Sequence, residues 1–256
     1  MKIIPYLSDA EDKTNQILDE IPQNTPAFFF IDPYWHPLSI PTINKILNRR
    51  YTETFVNLMW YRINMDINNS KIEPYINKIF GNENWKQQSF VKESGNKKEQ
   101  DFLEYFLSQI DCSFKLDFKI HFSPEDQIFA KEQRTKYYLI HLSNHIKAVL
   151  LMKEIMYVLG DVDGTFDYSG TRQGFLFSPT PPIEELKDFI RKNYLRTNKE
   201  ISFDKIREET YCLPFVEKHY REVLRESEKS KEIIIKRIES KRTGIKGKDL
   251  IIFQKG

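Results

Sequence analysis

Apolar positions follow two regimes along the chain. Before about residue 160, short apolar runs alternate with segments of helical spacing. Ile3-Ile4-Pro5-Tyr6-Leu7 is a brief apolar segment, and Ser8 or Asp9 can cap a helix reaching about Glu20. Ala27-Phe28-Phe29-Phe30-Ile31 has no polar interruption, the pattern of a strand buried on both faces of a parallel sheet. A helix from about Ser39 to Arg50 and a strand from Phe55 to Trp60 follow. This β-α-β-α-β order predicts an α/β domain. Residues 66–110 read as helical, with Phe102, Leu103, Phe106, Leu107 and Ile110 at helical spacing. Phe114, Leu116, Phe118, Ile120 and Phe122 alternate with Lys115, Asp117, Lys119 and His121, which predicts a half-buried strand. Tyr137 to Leu142 is a further strand, placed to form an antiparallel hairpin with it, and Asn144 to Leu159 is a helix.

Beyond residue 183 the pattern changes. Ile183, Leu186, Ile190 and Tyr194 mark one helix. Phe203, Ile206 and Tyr211 mark a second, capped by Ser202. Pro214 opens a third, with Phe215, Val216, Tyr220, Val223 and Leu224 facing inward. Two strands, Glu232–Ile238 and Leu250–Phe253, flank the basic segment 240–248. Three helices and a hairpin are the parts of a winged helix-turn-helix. Between the regimes, residues 161–182 are rich in glycine and turn formers and end in Ser178-Pro179-Thr180-Pro181-Pro182. The predicted organisation is therefore an α/β domain over 1–160, a linker over 161–182 and a winged-helix domain over 183–256.

Charge sharpens this division. The 256 residues carry a net charge of only +2. Residues 184–256 hold 19 Lys+Arg against 14 Asp+Glu, leaving 20 against 23 for the remainder. An acidic body with a basic tail points to a polyanion contact at the tail. Lys218, Arg221 and Arg225 lie on one side of the third helix, and Lys241, Arg242, Lys246 and Lys248 occupy the wing. These residues are the candidate phosphate contacts for DNA or RNA. Glu217, Glu222, Glu226 and Glu228 oppose that reading and leave open a winged helix used for protein contacts. No apolar run approaches the roughly 20 residues of a membrane span, and the start carries no signal-peptide pattern. Cys112 and Cys212 lie far apart and form no CxxC or zinc spacing. A cytoplasmic protein is the expectation.

The candidate chemistry in the body lies at Asp32-Pro33-Tyr34-Trp35. An acid at the carboxyl end of a parallel strand stands where open α/β sheets bind ligands. Amino-group methyltransferases use a related turn of an Asp, Asn or Ser, two prolines and an aromatic to accept the target amine and stack on its base. Here one proline stands in place of two, and the residues also read as an ordinary turn. Asn57, at the end of the next strand, points into the same crevice, and His36 is the nearby acid–base candidate. His141 and His145 lie four apart without a third ligand at useful spacing, so no metal site is expected.

Several strings together resemble the three-Cys-motif partner family, TcmP. They are Phe28 to Tyr34, Phe55-Val56-Asn57-Leu58, Tyr137 to His145 with Met152 to Met156, and Thr243 to Phe253. The resemblance implies an incomplete methyltransferase-like, Rossmann-type α/β sheet followed by a winged helix-turn-helix. The family's Gly-rich cofactor segment has no counterpart among the nine glycines here. S-adenosylmethionine would then be held largely by groups outside this chain, with Asp9 the candidate for a cofactor contact within it. A sheet beginning near the third strand leaves unpaired edges, to be filled by Ile3–Leu7 or by a partner polypeptide. The expected function is a subunit that binds nucleic acid and a partner protein, non-catalytic by itself, in a defence or DNA-modification setting. The alternative is an S-adenosylmethionine-dependent amino-group methyltransferase, active on a base once completed by its partner.

Overall fold

A computed structural model describes residues 9–33, 38–122, 134–160, 167–168, 183–194, 200–239 and 244–254. These fall into two compact units. One holds the described residues up to Val149 with Asp167 and Tyr168, and the other holds those from Leu150 to Gly160 and from Ile183 onward.

In the first unit, α1 (Ala10–Glu20) is capped by Asp9, whose carboxylate accepts the Glu11 N–H at 2.8 Å. β1 (Ala27–Ile31), α2 (Ile40–Leu47) and β2 (Thr52–Leu58) form a β-α-β unit, with β1 and β2 parallel from the pair Ala27–Thr52 to Ile31–Val56. Trp60, read as the end of a strand, instead opens α3 (Trp60–Asp66). α4 (Glu73–Phe80), two short 3-10 turns and α5 (Gly95–Ser108) fill the stretch predicted as helical. β3 (Phe114–His121) and β4 (Thr135–Ser143) pair antiparallel, as the alternation predicts, and β4 is antiparallel to β2 as well. With β5 (Asp167–Tyr168) parallel to β3, the order is β1-β2-β4-β3-β5. The sheet is mixed, and among the described residues β1 lies at its edge.

Side chains alternate across a strand, so β2 sorts its residues cleanly. Thr52, Thr54, Val56 and Leu58 are buried, while Glu53, Phe55 and Asn57 are half-buried. The buried face joins Ile140 and Leu142 of β4 to Ile43, Ile46 and Leu47 of α2 and to Phe102 and Phe106 of α5 in one core. Aromatic rings fill its centre: Trp60 and Phe90 lie 5.1 and 5.2 Å from Phe102. The other face corrects the expectation for β1. Phe28 and Phe30 are 58% and 59% exposed, so this strand is not buried on both sides.

Local chemistry fixes the helix ends. Ser39 caps α2, and Glu11 reaches across from α1 to accept the Ser39 and Thr42 hydroxyls and the Ser39 N–H. A carboxylate at that end also suits the helix dipole. Gly81 closes α4 with φ +69°, and a Cβ there would meet Pro41 Cγ at 2.7 Å. Gly81→Ala therefore combines left-handed strain with a clash against a rigid ring. It is expected to destabilise the first unit by about 2 kcal/mol, read from urea melts.

The second unit contains α6 (Ile146–Leu159) from Leu150 onward, then α7 (Ile183–Tyr194), β6 (Glu200–Ser202), α8 (Phe203–Glu209), α9 (Glu217–Lys229), β7 (Ile233–Lys236) and β8 (Leu250–Phe253). The strands form an antiparallel sheet ordered β6-β8-β7. Leu186, Ile190, Phe203, Ile206, Tyr220, Val223, Leu224 and Ile251 make its core. β6 is too short to stand out as a strand in the sequence. Pro214 does not open the third helix. Turn hydrogen bonds, Leu213 N–H to Thr210 and Phe215 N–H to Leu213, carry the chain past it, and the helix starts after Val216.

Candidate functional site

Helix α9 sorts its residues sharply. His219, Tyr220, Val223, Leu224 and Ser227 are buried. Lys218, Glu222, Arg225, Glu226 and Lys229 are exposed, and the spacing of Lys218, Arg225 and Lys229 places them on one stripe. Lys229 continues the period of the predicted cations but was not among them. Arg221 is half-buried and ion-paired with Glu217. The acids that argue against a polyanion contact are largely engaged. Glu217 also binds Arg207, Glu226 meets Lys187 at 3.5 Å, and Glu228 takes both ends of the Arg237 guanidinium at 2.7 and 2.6 Å. Glu222 stands exposed among the cations.

The wing is set from its base. Asp249 is fully buried, and its carboxylate accepts the N–H groups of Ile238 (2.7 Å), Glu239 (2.8 Å) and Lys246 (2.8 Å). Arg237, besides holding Glu228, donates from Nε to the Gly244 carbonyl at 3.2 Å. Helix α9 and both arms of the wing are thus tied together. Lys246 is exposed, whereas Lys248 pairs with Glu239 at 3.3 Å. Lys241 and Arg242 lie outside the described residues.

Residues 164–237 match the family model of the GMT-like wHTH domain. The match takes in β5, α7, β6, α8, α9 and β7 and leaves α1 to α6 outside it. No curated protein and no solved structure matches the chain. The C-terminal unit is a winged helix-turn-helix, with α9 in the place of its third helix. Among the described residues no helix is long and apolar enough to cross a membrane.

Within the winged helix, His219 turns back so that its Nδ1 accepts the Val216 N–H at 3.2 Å. Burial, then the nearby Lys218 and Lys153 charges, push its pKa down to about 4 from an ordinary 6.5. The folded state therefore keeps the ring neutral. A depressed histidine contributes stability in full above about pH 6.5 and loses it as pH falls toward 4. Urea melts of this unit are expected to weaken from pH 7 to pH 5, and His219→Gln is expected to flatten that difference.

In the first unit the structure brings several predicted residues together. Asn57 Nδ2 donates to Asp32 Oδ1 at 2.7 Å, across the carboxyl ends of β1 and β2. The Asn57 Oδ1 is buried with no hydrogen-bond donor among the described residues. Pro33 and Asp9 line one cavity of about 280 Å³, shared with Glu11, Tyr75 and Lys78. Lys78 stands 3.9 Å from Asp9. Tyr34, Trp35 and His36 lie outside the described residues. His141 is buried and meets Glu53 at 3.0 Å.

Proposed function

We propose that this chain is a nucleic-acid-binding subunit whose α/β unit docks a partner polypeptide. The observation that carries the first half is the exposed basic stripe of Lys218, Arg225 and Lys229 on the third helix of a winged helix-turn-helix. Cations spaced along one helix face suit a row of phosphates, and a winged helix presents that helix to a groove. The ion pairs that engage Glu217, Glu226 and Glu228 reduce the opposing charge. Fluorescence anisotropy with a labelled duplex of random sequence tests this. Binding is expected at low salt and is expected to weaken steeply as salt rises. Absence of binding at low salt overturns it.

The partner half rests on β1. Its outer edge pairs with no strand among the described residues, and Phe28 and Phe30 stand exposed beside Phe55. An open, apolar edge strand is a template for an added strand. One observation favours the second reading, methyl transfer to a base amine. Asp32 and Asn57 converge at the carboxyl ends of two parallel strands, and the Asn57 acceptor lacks a donor among the described residues. In that reading Asp32 and the following turn accept the amine and S-adenosylmethionine supplies the methyl group, with Asp9 on the adjoining cavity.

A further inference from the structure

Helix α6 holds the entrance of the third helix of the winged helix. From Leu150 onward it belongs to the same unit as α9. Val216 stands at the cap position of α9 and offers no side-chain acceptor there. The acceptor comes from α6, where Glu154 takes the Glu217 N–H at 3.0 Å. A carboxylate at that end also suits the helix dipole. Three residues further along α6, the Tyr157 ring meets the His219 ring edge to face, with centroids 5.1 Å apart. The Lys218 Nζ stands 4.5 Å from the Tyr157 centroid. Lys153 and Met156 of α6 are buried, and the Lys153 Nζ lies 5.9 Å from the Tyr220 ring centroid. Helix α6 therefore touches each of Glu217, Lys218, His219 and Tyr220, the first turn of α9, and holds one cation of the exposed stripe.

A helix read in the major groove enters with its N-terminal residues at the base edges. That groove is about 12 Å wide, and a helix with its side chains is about 10–12 Å across, so the groove admits one helix. Helix α6 cannot stay on the first turn of α9 while that turn lies in the groove. We propose that α6 is an autoinhibitory helix, which occupies the reading end of α9 in the free protein and is displaced from it by duplex DNA. The proposal rests on the nucleic-acid reading of α9. Displacement costs the hydrogen bond to Glu154 and the contact of Lys218 with Tyr157. The free chain then binds only through the fraction of molecules in which α6 has let go, and its apparent affinity is lowered by that fraction. Weakening either contact raises the fraction and tightens binding. A helix that merely props α9 has the opposite consequence, because loosening it disorders the reading surface and weakens binding.

Anisotropy titrations of a labelled random-sequence duplex at 0.1 M salt compare the full chain with its Glu154→Ala and Tyr157→Leu variants. Glu154→Ala is expected to bind about tenfold more tightly, through loss of a charge-assisted hydrogen bond that holds α6 and of a charge that repels phosphates. Tyr157→Leu changes no charge. It is expected to bind about threefold more tightly, the size of an exposed cation–π contact. Hydrogen exchange of the unaltered chain reads the displacement directly and stands whether or not either variant folds. The amides from Ile155 to Gly160 are expected to lose protection when duplex is added. A folded variant that binds no more tightly than the unaltered chain, or an α6 as protected in the complex as in the free protein, overturns the proposal and leaves the nucleic-acid reading standing. No binding by any of the three proteins at low salt overturns both.

Discussion

Replacing Lys218, Arg225 and Lys229 together by alanine is expected to lower affinity for duplex DNA about 10²-fold at 0.1 M salt, with the fold unchanged by circular dichroism. The size follows from counterion release. Each phosphate neutralised contributes about 0.9 to the dependence of log K on log salt, so three contacts supply about two to three decades at that salt. The three side chains lie on the exposed stripe of α9, outside the core of Tyr220, Val223 and Leu224. Lys218 does rest 4.5 Å from the centroid of the Tyr157 ring, so its removal also costs a cation–π contact. Arg221 serves as the contrast. Its guanidinium is already held by Glu217, so Arg221→Ala is expected to cost stability more than affinity. The anisotropy titration that measures the triple variant separates the two outcomes when a melt is run beside it.

Asp249→Ala is expected to destabilise the winged helix by about 3–5 kcal/mol. That lowers its melting temperature on the order of 15 °C. Three backbone N–H groups converge on this one carboxylate, which has no exposed surface. Alanine leaves all three donors without an acceptor, and each unsatisfied buried donor costs about 1–3 kcal/mol. Water entering an opened wing recovers part of that. Asp249→Asn keeps one acceptor oxygen, which can serve Ile238 and Glu239, but turns an amide donor toward the Lys246 N–H. Its loss is expected to fall between the two. Thermal melts of both variants check the order, and an Asn variant as damaged as the Ala variant would place the cost elsewhere than in the acceptor count.

Asp249 also shows where sequence reading stops. Period and punctuation locate α1, α7, α8 and α9, because apolar residues recur every three or four positions and Asp9 and Ser202 are strong caps. The β3–β4 hairpin is legible for the same reason, through strict alternation. The edge position of β1 is not. An apolar run looks the same whether or not another strand lies beside it, and only the strand pairing of the folded sheet distinguishes the cases. The start of α9 is not legible either, because a proline at a helix entrance and a proline in the preceding turn share the same local conformation. In the site, the cations of α9 are readable from spacing, and extending the period by one step reaches Lys229. The partners of its acids are not readable. Glu226 finds Lys187, and Glu228 finds Arg237, across segments that only folding brings together. Asp249, the acid that closes a basic wing, gives no signal of burial in its own neighbourhood. The sequence places Asn57 at the strand end beside that of Asp32, facing the same crevice, but neither its hydrogen bond to Asp32 nor the sharing of a cavity by Pro33 and Asp9 can be read from it.

The central claim is that the winged helix meets phosphates through the exposed stripe of α9. The slope of log K against log salt for a random-sequence duplex measures the number of those contacts, in the unaltered chain and in the Lys218, Arg225 and Lys229 triple variant. The expected result is a slope shallower by about 2.7 in the variant, the equivalent of three lost phosphates. Equal slopes for the two proteins would contradict the account.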